Sequence, residues 1–314
     1  MTDRGSAAAL GTEGIRIKAR HENFPVASRL LPKDTRRHLM AIYGFARLTD
    51  DVGDEAAGDR LLLLDRLEAE LERSFAGRAE HPVFRELGET ITACRLEKRP
   101  FLDLIEANRQ DQLVSRYESY EQLRGYCRLS AEPVGRLVLA VGGVLTPERA
   151  AWSDDVCTGL QLTEHWQDVA EDAGRGRIYL PREDLDKFGV RESDLLARKT
   201  TPEFARLMAF EVDRAQSLLA AVRPLAGSLR GRLRVAVIGF AAGGLATTDA
   251  IRAADYDVLS RAIRGGKGRL FMHSLRLLMG ARAIEARGSE GRGAPAEAAP
   301  ASSPQAEWGE SPPL

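Results

Sequence analysis

The chain has 314 residues, 44% hydrophobic and 29% charged, enough for a sizeable core in one or two domains of about 100–200 residues each. Its 45 basic and 46 acidic residues give a formal charge of −1, which removes the electrostatic case for a dedicated nucleic-acid binder. Asp and Glu are as common as Arg and Lys, so the chain as a whole is no polybasic membrane patch. Only six of the basic residues are lysine, and beside abundant Ala and Gly this bias leaves any single arginine with little weight. Cys94, Cys127 and Cys157 lie far apart without metal-ligand spacing, a pattern of reduced thiols in a cytoplasmic setting.

Residues 1–13 are short, small and polar and are predicted to be disordered. Residues 1–16 hold no continuous apolar run of the kind a secretory leader needs. The segment 59–75 places Leu62, Leu63, Leu67, Leu71 and Phe75 on one face with Glu and Arg opposite, which predicts an amphipathic helix. The same spacing recurs at 100–117, 120–129, 147–169, 202–222 and 230–245. Prolines at 32, 82, 100, 133, 147, 181, 202 and 224 punctuate these segments as starts, stops or kinks. The longest uncharged run, VAVIGFAAGGLATT at 235–248, is shorter than the about 20 residues a spanning helix needs, so no membrane crossing is expected. Residues 288–314 are rich in Pro, Ala, Gly and Ser and are predicted to be a disordered tail. No run alternates with period two and no solenoid repeat is present. The predicted fold is a single all-α domain of about ten helices over residues 14–287.

Carboxylate placement carries the functional information. In YGFARLTDDVGDE, Tyr43, Arg47, Asp50 and Asp54 fall four, three and four residues apart and line one stripe of a helix, opposite a mostly apolar face. In LQLTEHWQDVAED, Gln161, Glu164, Asp168 and Asp172 repeat the device at spacings of three, four and four. Like charges at these spacings destabilise an isolated helix by about 0.2–0.5 kcal/mol per pair. Each cluster alone reads equally as a solvated acidic face near a helix end. Facing one cavity, the two stripes suit hard divalent cations completed by water and substrate phosphate. The implied chemistry is departure of a diphosphate that leaves a carbocation in an apolar pocket. The run 235–248 suits the wall of such a pocket and suits an ordinary core helix as well.

These residues resemble the squalene/phytoene synthases. The resemblance rests on LLPKDTRRHLMAIYGFARLTDDVGD (30–54), NRQDQLVSRY (108–117), YCRLSAEPVG (126–135) and LQLTEHWQDVAEDAGRGRIYLP (160–181), four ordered motifs across the folded part. It implies the helical isoprenoid synthase fold with a central cavity. It also implies Asp50 and Asp54, with Asp51 beside them, as a first aspartate-rich motif and Asp168 and Asp172 as the second. Mg²⁺, with Mn²⁺ as a substitute, would then be held by Asp50, Asp51, Asp54, Glu164, Asp168 and Asp172. Tyr43, Arg47 and Gln161 would surround the diphosphates. Arg177 and Tyr179 would close the site after the second motif, with Arg177 a diphosphate contact. Tyr126 and Val134 would line the reacting ends of the prenyl chains. Arg269, outside these motifs, is a further candidate to face the diphosphates.

The departures bear on the reaction. Glu164 stands where the family usually has Asn, Gln167 where an Arg is frequent, and His165 is new, its helical setting suiting either a structural role or the cavity. ENFPVASRLLP (22–32) replaces a Ser/Lys-rich start that many members use to hold a second farnesyl diphosphate. The set is similar to one branch in particular, the bacterial hydroxysqualene synthases of hopanoid formation. That branch implies conversion of presqualene diphosphate and water to hydroxysqualene and diphosphate, without NADPH, beside sister enzymes of the squalene pathway. The helical context of GFAAGG (239–244) argues against a dinucleotide fingerprint. The alternatives are a condensing prenyltransferase, making squalene, presqualene diphosphate, phytoene or dehydrosqualene, and a non-catalytic assembly factor on the same fold. The basic run 260–278, with Arg261, Arg264, Lys267 and Arg269, reads as a solvated face or as peripheral contact with the inner face of the cytoplasmic membrane.

Overall fold

The computed structural model describes residues 31–290, with side chains described as far as Ala281. The predicted disorder of residues 1–13, most of the replaced start at 22–32, and the tail from residue 291 lie outside the described residues. Fourteen helices fill the described residues, and no strand occurs among them. They are α1 (Lys33–Asp54), α2 (Arg60–Phe75), α3 (Pro82–Cys94), α4 (Arg99–Leu113), α5 (Tyr120–Ser130), α6 (Glu132–Val141) and α7 (Pro147–Gln167). After them come α8 (Val169–Gly174), α9 (Arg182–Phe188), α10 (Glu192–Leu196), α11 (Pro202–Leu219), α12 (Val222–Ser228), α13 (Gly231–Ala253) and α14 (Lys267–Glu290). Ten of them run ten residues or more, as the periodicity predicts, and α8, α9, α10 and α12 are turns of five to seven residues too short to leave a periodic signal.

Local chemistry sets the helix starts. Asp59, Ser119, Thr146 and Thr201 each accept a backbone N–H from the first turn of the helix they precede, satisfying a donor that has no partner within the helix. Pro82, Pro100, Pro133, Pro147 and Pro202 occupy first-turn positions, where a missing N–H costs nothing.

Helix α7 is the hub, packed against α5, α6, α11, α12 and α13. Two glycines let its neighbours approach. A Cβ on Gly135 of α6 would fall 2.3 Å from Ser153 Oγ and 2.5 Å from Cys157 Sγ, and one on Gly159 would lie 3.0 Å from the Ala215 carbonyl of α11. Helix α1 packs on α2, α3, α4 and α6 through a second core in which Phe45 meets the rings of Phe84 and Phe101 edge-on, with centroids 5.7 and 5.3 Å away. Helix α13 runs 23 residues, nine more than its uncharged run, and by length and composition alone would cross a membrane. Most of it is buried inside the protein, with Ala241, Ala242 and Ile251 in the core.

Phe45 is fully buried, so Phe45→Ala is expected to destabilise the protein by about 3–5 kcal/mol. Urea denaturation checks this, and a loss below about 1 kcal/mol would contradict the packing around α1.

Candidate active site

A cavity of about 820 Å³ opens between α1, α6, α7 and α13. Val134 and Val138 of α6, Leu160 of α7, and Val237, Phe240 and Ala246 of α13 supply its apolar wall. Tyr43, Glu164 and Gln167 supply polar lining, and Arg264, Gly265 and Leu270 border it from the segment entering α14. Both readings of 235–248 therefore hold, on opposite faces of α13: one face lines the cavity and the other packs in the core.

The first acidic stripe lies on α1. Asp50 sits in a recess that touches solvent yet is crowded by protein, and this desolvation raises its carboxyl to about 6 against the hydrogen bond from Asn108 and the charge of Arg47. The Asn108 amide reaches Asp50 at 3.1 Å, and α4 lies so near α1 that a Cβ on Gly53 would fall 2.2 Å from Asn108 Oδ1. Asp54 accepts Arg177 at 2.9 Å. Asp51 differs from its neighbours, because its buried carboxylate is ion-paired with Arg47 at 2.7 Å. Arg47 also lies 3.8 Å from Glu55, so it serves several carboxylates at the end of α1.

The second stripe survives a break in its helix. Helix α7 ends at Gln167 and α8 begins at Val169, leaving Asp168 between them. The Asp168 N–H still reaches the Glu164 carbonyl at 3.0 Å and the Asp172 N–H the Asp168 carbonyl at 2.9 Å, so the register carries through. Burial and then the charges of Asp168 and Glu171 raise Asp172 to about 7, and burial with Glu171 raises Asp168. Like-charged carboxylates held in this state favour a cation among them. Gln161 meets His165 at 3.2 Å, and His165 stacks on Tyr179 with centroids 3.7 Å apart. Burial lowers His165 to about 3, so it carries no charge where it stacks on Tyr179.

Asp111 of α4 joins the stripes, and the spacing argument passed over it. It accepts the Tyr126 hydroxyl at 2.8 Å and the Tyr179 hydroxyl at 3.4 Å, and burial lifts its carboxyl to about 6. Arg177 stands between Asp54 and Asp111, within electrostatic reach of Asp172, and these groups hold it cationic against the cost of its burial. An isolated parallel bridge between Arg116 and Ile178 fixes it there, with the Ile178 N–H on the Ser115 carbonyl at 3.0 Å. Asn108 and Asp111, three apart in NRQDQLVSRY, share one face of α4, a signal that marks both.

Tyr126 is buried with its hydroxyl committed to Asp111 and lies outside the cavity lining, whereas Val134 lines it. Arg269 is exposed, and no contact among the described residues joins it to the carboxylates. Also among the described residues, no three His, Cys, Asp or Glu side chains converge into a ready cage. Carboxylates supplied in pairs by two helices fit a hydrated divalent ion completed by phosphate oxygens, since Mg²⁺ keeps several waters and takes only one or two carboxylates.

The sequence profile described as squalene/phytoene synthase matches residues 17–269. The chain belongs to that family. A hydroxysqualene synthase of Rhodopseudomonas palustris is 39% identical over 216 residues, 67% of this chain and 72% of that protein. Phytoene synthase 3 of Zea mays is 33% identical over 267 residues, 82% of this chain and 63% of that protein. A squalene synthase structure from Alicyclobacillus acidocaldarius superposes with a TM-score of 0.74 at 45% identity, over 80% of this chain and 97% of that one. The all-α isoprenoid synthase fold is thus this chain's fold, and its family is one of enzymes acting on prenyl diphosphates.

If Asp111 depends on its tyrosine, Tyr126→Phe leaves a buried carboxylate short of a donor and is expected to cost about 1–3 kcal/mol in chemical denaturation. Tyr117→Phe, whose hydroxyl among the described residues accepts one long hydrogen bond from Gln110 at 3.5 Å, is the control and should cost much less. Equal losses would show that Asp111 does not rely on that bond.

Proposed function

We propose that this member of the family converts presqualene diphosphate and water to hydroxysqualene and diphosphate. The observations that carry the reading are a mostly apolar cavity of about 820 Å³ whose lining includes Glu164 of the second acidic stripe, and carboxylates on the two stripes raised to about 6 and about 7. Relatives named hydroxysqualene synthase, at 39% and 37% identity, support the choice of reaction.

In this reading Asp50 and Asp54 on one side and Asp168 and Asp172 on the other hold Mg²⁺, or Mn²⁺ in its place. The ion supplies the positive charge that lets a diphosphate depart. Arg177 adds a fixed cation beside Asp54 and helps to orient the leaving group. The substrate's carbon–oxygen bond to diphosphate breaks, the cyclopropylcarbinyl cation rearranges, and a water oxygen bonds to carbon and loses a proton to solvent. Val134, Leu160 and Phe240 enclose the chain and keep other water from the cation. Glu164 and Gln167 are among the polar groups of that lining, and their carboxylate and amide oxygens give a captured water acceptors. The step consumes no reductant, so NADPH is not required.

A condensing reaction on two prenyl diphosphates is the second reading, favoured by the phytoene synthases among the relatives. The enzyme would work beside sister enzymes that make its substrate and use its product, at or near the cytoplasmic face of the membrane.

Incubation with Mg²⁺ and presqualene diphosphate, without NADPH, is expected to yield hydroxysqualene by mass spectrometry, with EDTA-sensitive diphosphate release. Consumption of farnesyl diphosphate alone would move the chain to the condensing branch, and inertness toward both would favour a scaffold. Asp50→Ala and Asp168→Ala are each expected to lower turnover by at least about a hundredfold while the helical circular dichroism persists.

A further inference from the structure

Helix α14 carries an apolar stripe that no other described residue covers. Phe271, Met272, Leu275 and Met279 are 65, 46, 41 and 56% exposed, four of the nine large hydrophobic side chains left exposed among the described residues. At about 100° per residue they gather on one side of the helix. Leu270, Leu277 and Ala281 project from the opposite side, where Leu277 and Ala281 are buried against α12 and α13. Lys267 borders the stripe on one flank, Arg269 and Arg276 on the other. Between residues 260 and 281 there is no Asp or Glu, and among the described residues Arg264, Lys267, Arg269 and Arg276 have no carboxylate partner.

We infer that α14 is a membrane-docking helix that lies in the plane of an anionic lipid bilayer. An apolar stripe bordered by cations is the arrangement that enters the headgroup boundary, with the long Lys and Arg side chains reaching back to phosphate. Charge complementarity selects the occupant, because an acid-free cationic flank attracts anionic lipid and repels a second copy of itself. The position of the helix adds a consequence. Leu270 and Arg264 border the 820 Å³ cavity, so the docked face begins within a turn of the cavity wall. A long apolar product would then pass to lipid without crossing open water.

Vesicle binding reads this inference independently of turnover, so it survives or fails apart from the proposed reaction. The full chain is expected to co-sediment with phosphatidylglycerol-rich vesicles, to bind pure phosphatidylcholine far less, and to be released by salt. Phe271→Ser with Leu275→Ser should weaken binding by at least about tenfold. Lys267→Gln and Arg276→Gln should each weaken it by about fivefold. The helical circular dichroism of every variant should match the parent. Absence of the parent from the vesicle pellet, or binding by the variants equal to the parent's, would overturn the inference. So would a stable dimer that Phe271→Ser with Leu275→Ser dissociates, which would assign the stripe to a second copy.

Discussion

One guanidinium ties together carboxylates from three separate segments. Asp54 closes α1, Asp111 lies in α4 and Asp172 in α8, three segments whose carboxylates would repel one another if brought together alone. Arg177 is bonded to the first and within electrostatic reach of the other two. It belongs to no helix, and its place is set by its own N–H on the Asp172 carbonyl at 2.9 Å and by the backbone bridge between Arg116 and Ile178. That bridge ties the loop to the segment after α4. Its side chains continue the tie, since Tyr179, next to Ile178, stacks on His165 and bonds to Asp111.

The two stripes were legible because helical spacing is a local property, and α1 presents Asp50 and Asp54 as the periodicity requires. Asp51 was not legible. Its buried pairing with Arg47 depends on which way α1 faces, and that is decided by Phe45 packing against Phe84 and Phe101. The break at Asp168 escaped for a different reason: the i to i−4 bonds on both sides persist, so the sequence pattern passes through it unbroken. Asp111 shares a face of α4 with Asn108, a spacing the sequence does show, but its partners Tyr126, Tyr179 and Arg177 lie 15 to 68 residues away, so its role was not legible. His165 shows the limit of composition, since an imidazole stacked on a tyrosine at 3.7 Å and one lining a cavity look alike in one dimension.

The cavity separates two physical tasks that conflict if mixed. Desolvation strengthens the hold of a carboxylate on a cation and, by the same low dielectric, makes an unneutralised carboxylate costly. The raised values at Asp50, Asp111 and Asp172 express that cost. An apolar wall has no such cost, and it favours a long hydrocarbon while giving a cation no basic nitrogen to attack it. Glycine and alanine on α13 reconcile the two by letting one helix serve as core on one face and as wall on the other.

A formal charge of −1 conceals this segregation, because the average over 314 residues cancels an acidic recess against a basic helix. The recess gathers Asp50, Asp54, Asp111, Asp168 and Asp172 with Arg177 among them, whereas residues 260–281 hold no acid at all. Potentials act over about a Debye length, roughly 8–10 Å at physiological salt, so each region acts on its surroundings through its own charge rather than the total. The recess is therefore locally acidic and the flank of α14 locally basic, in a chain whose net charge points to neither. Excluding a polybasic surface by counting residues holds for the whole chain and fails for a helix of 24, because surface recognition is decided within two or three turns.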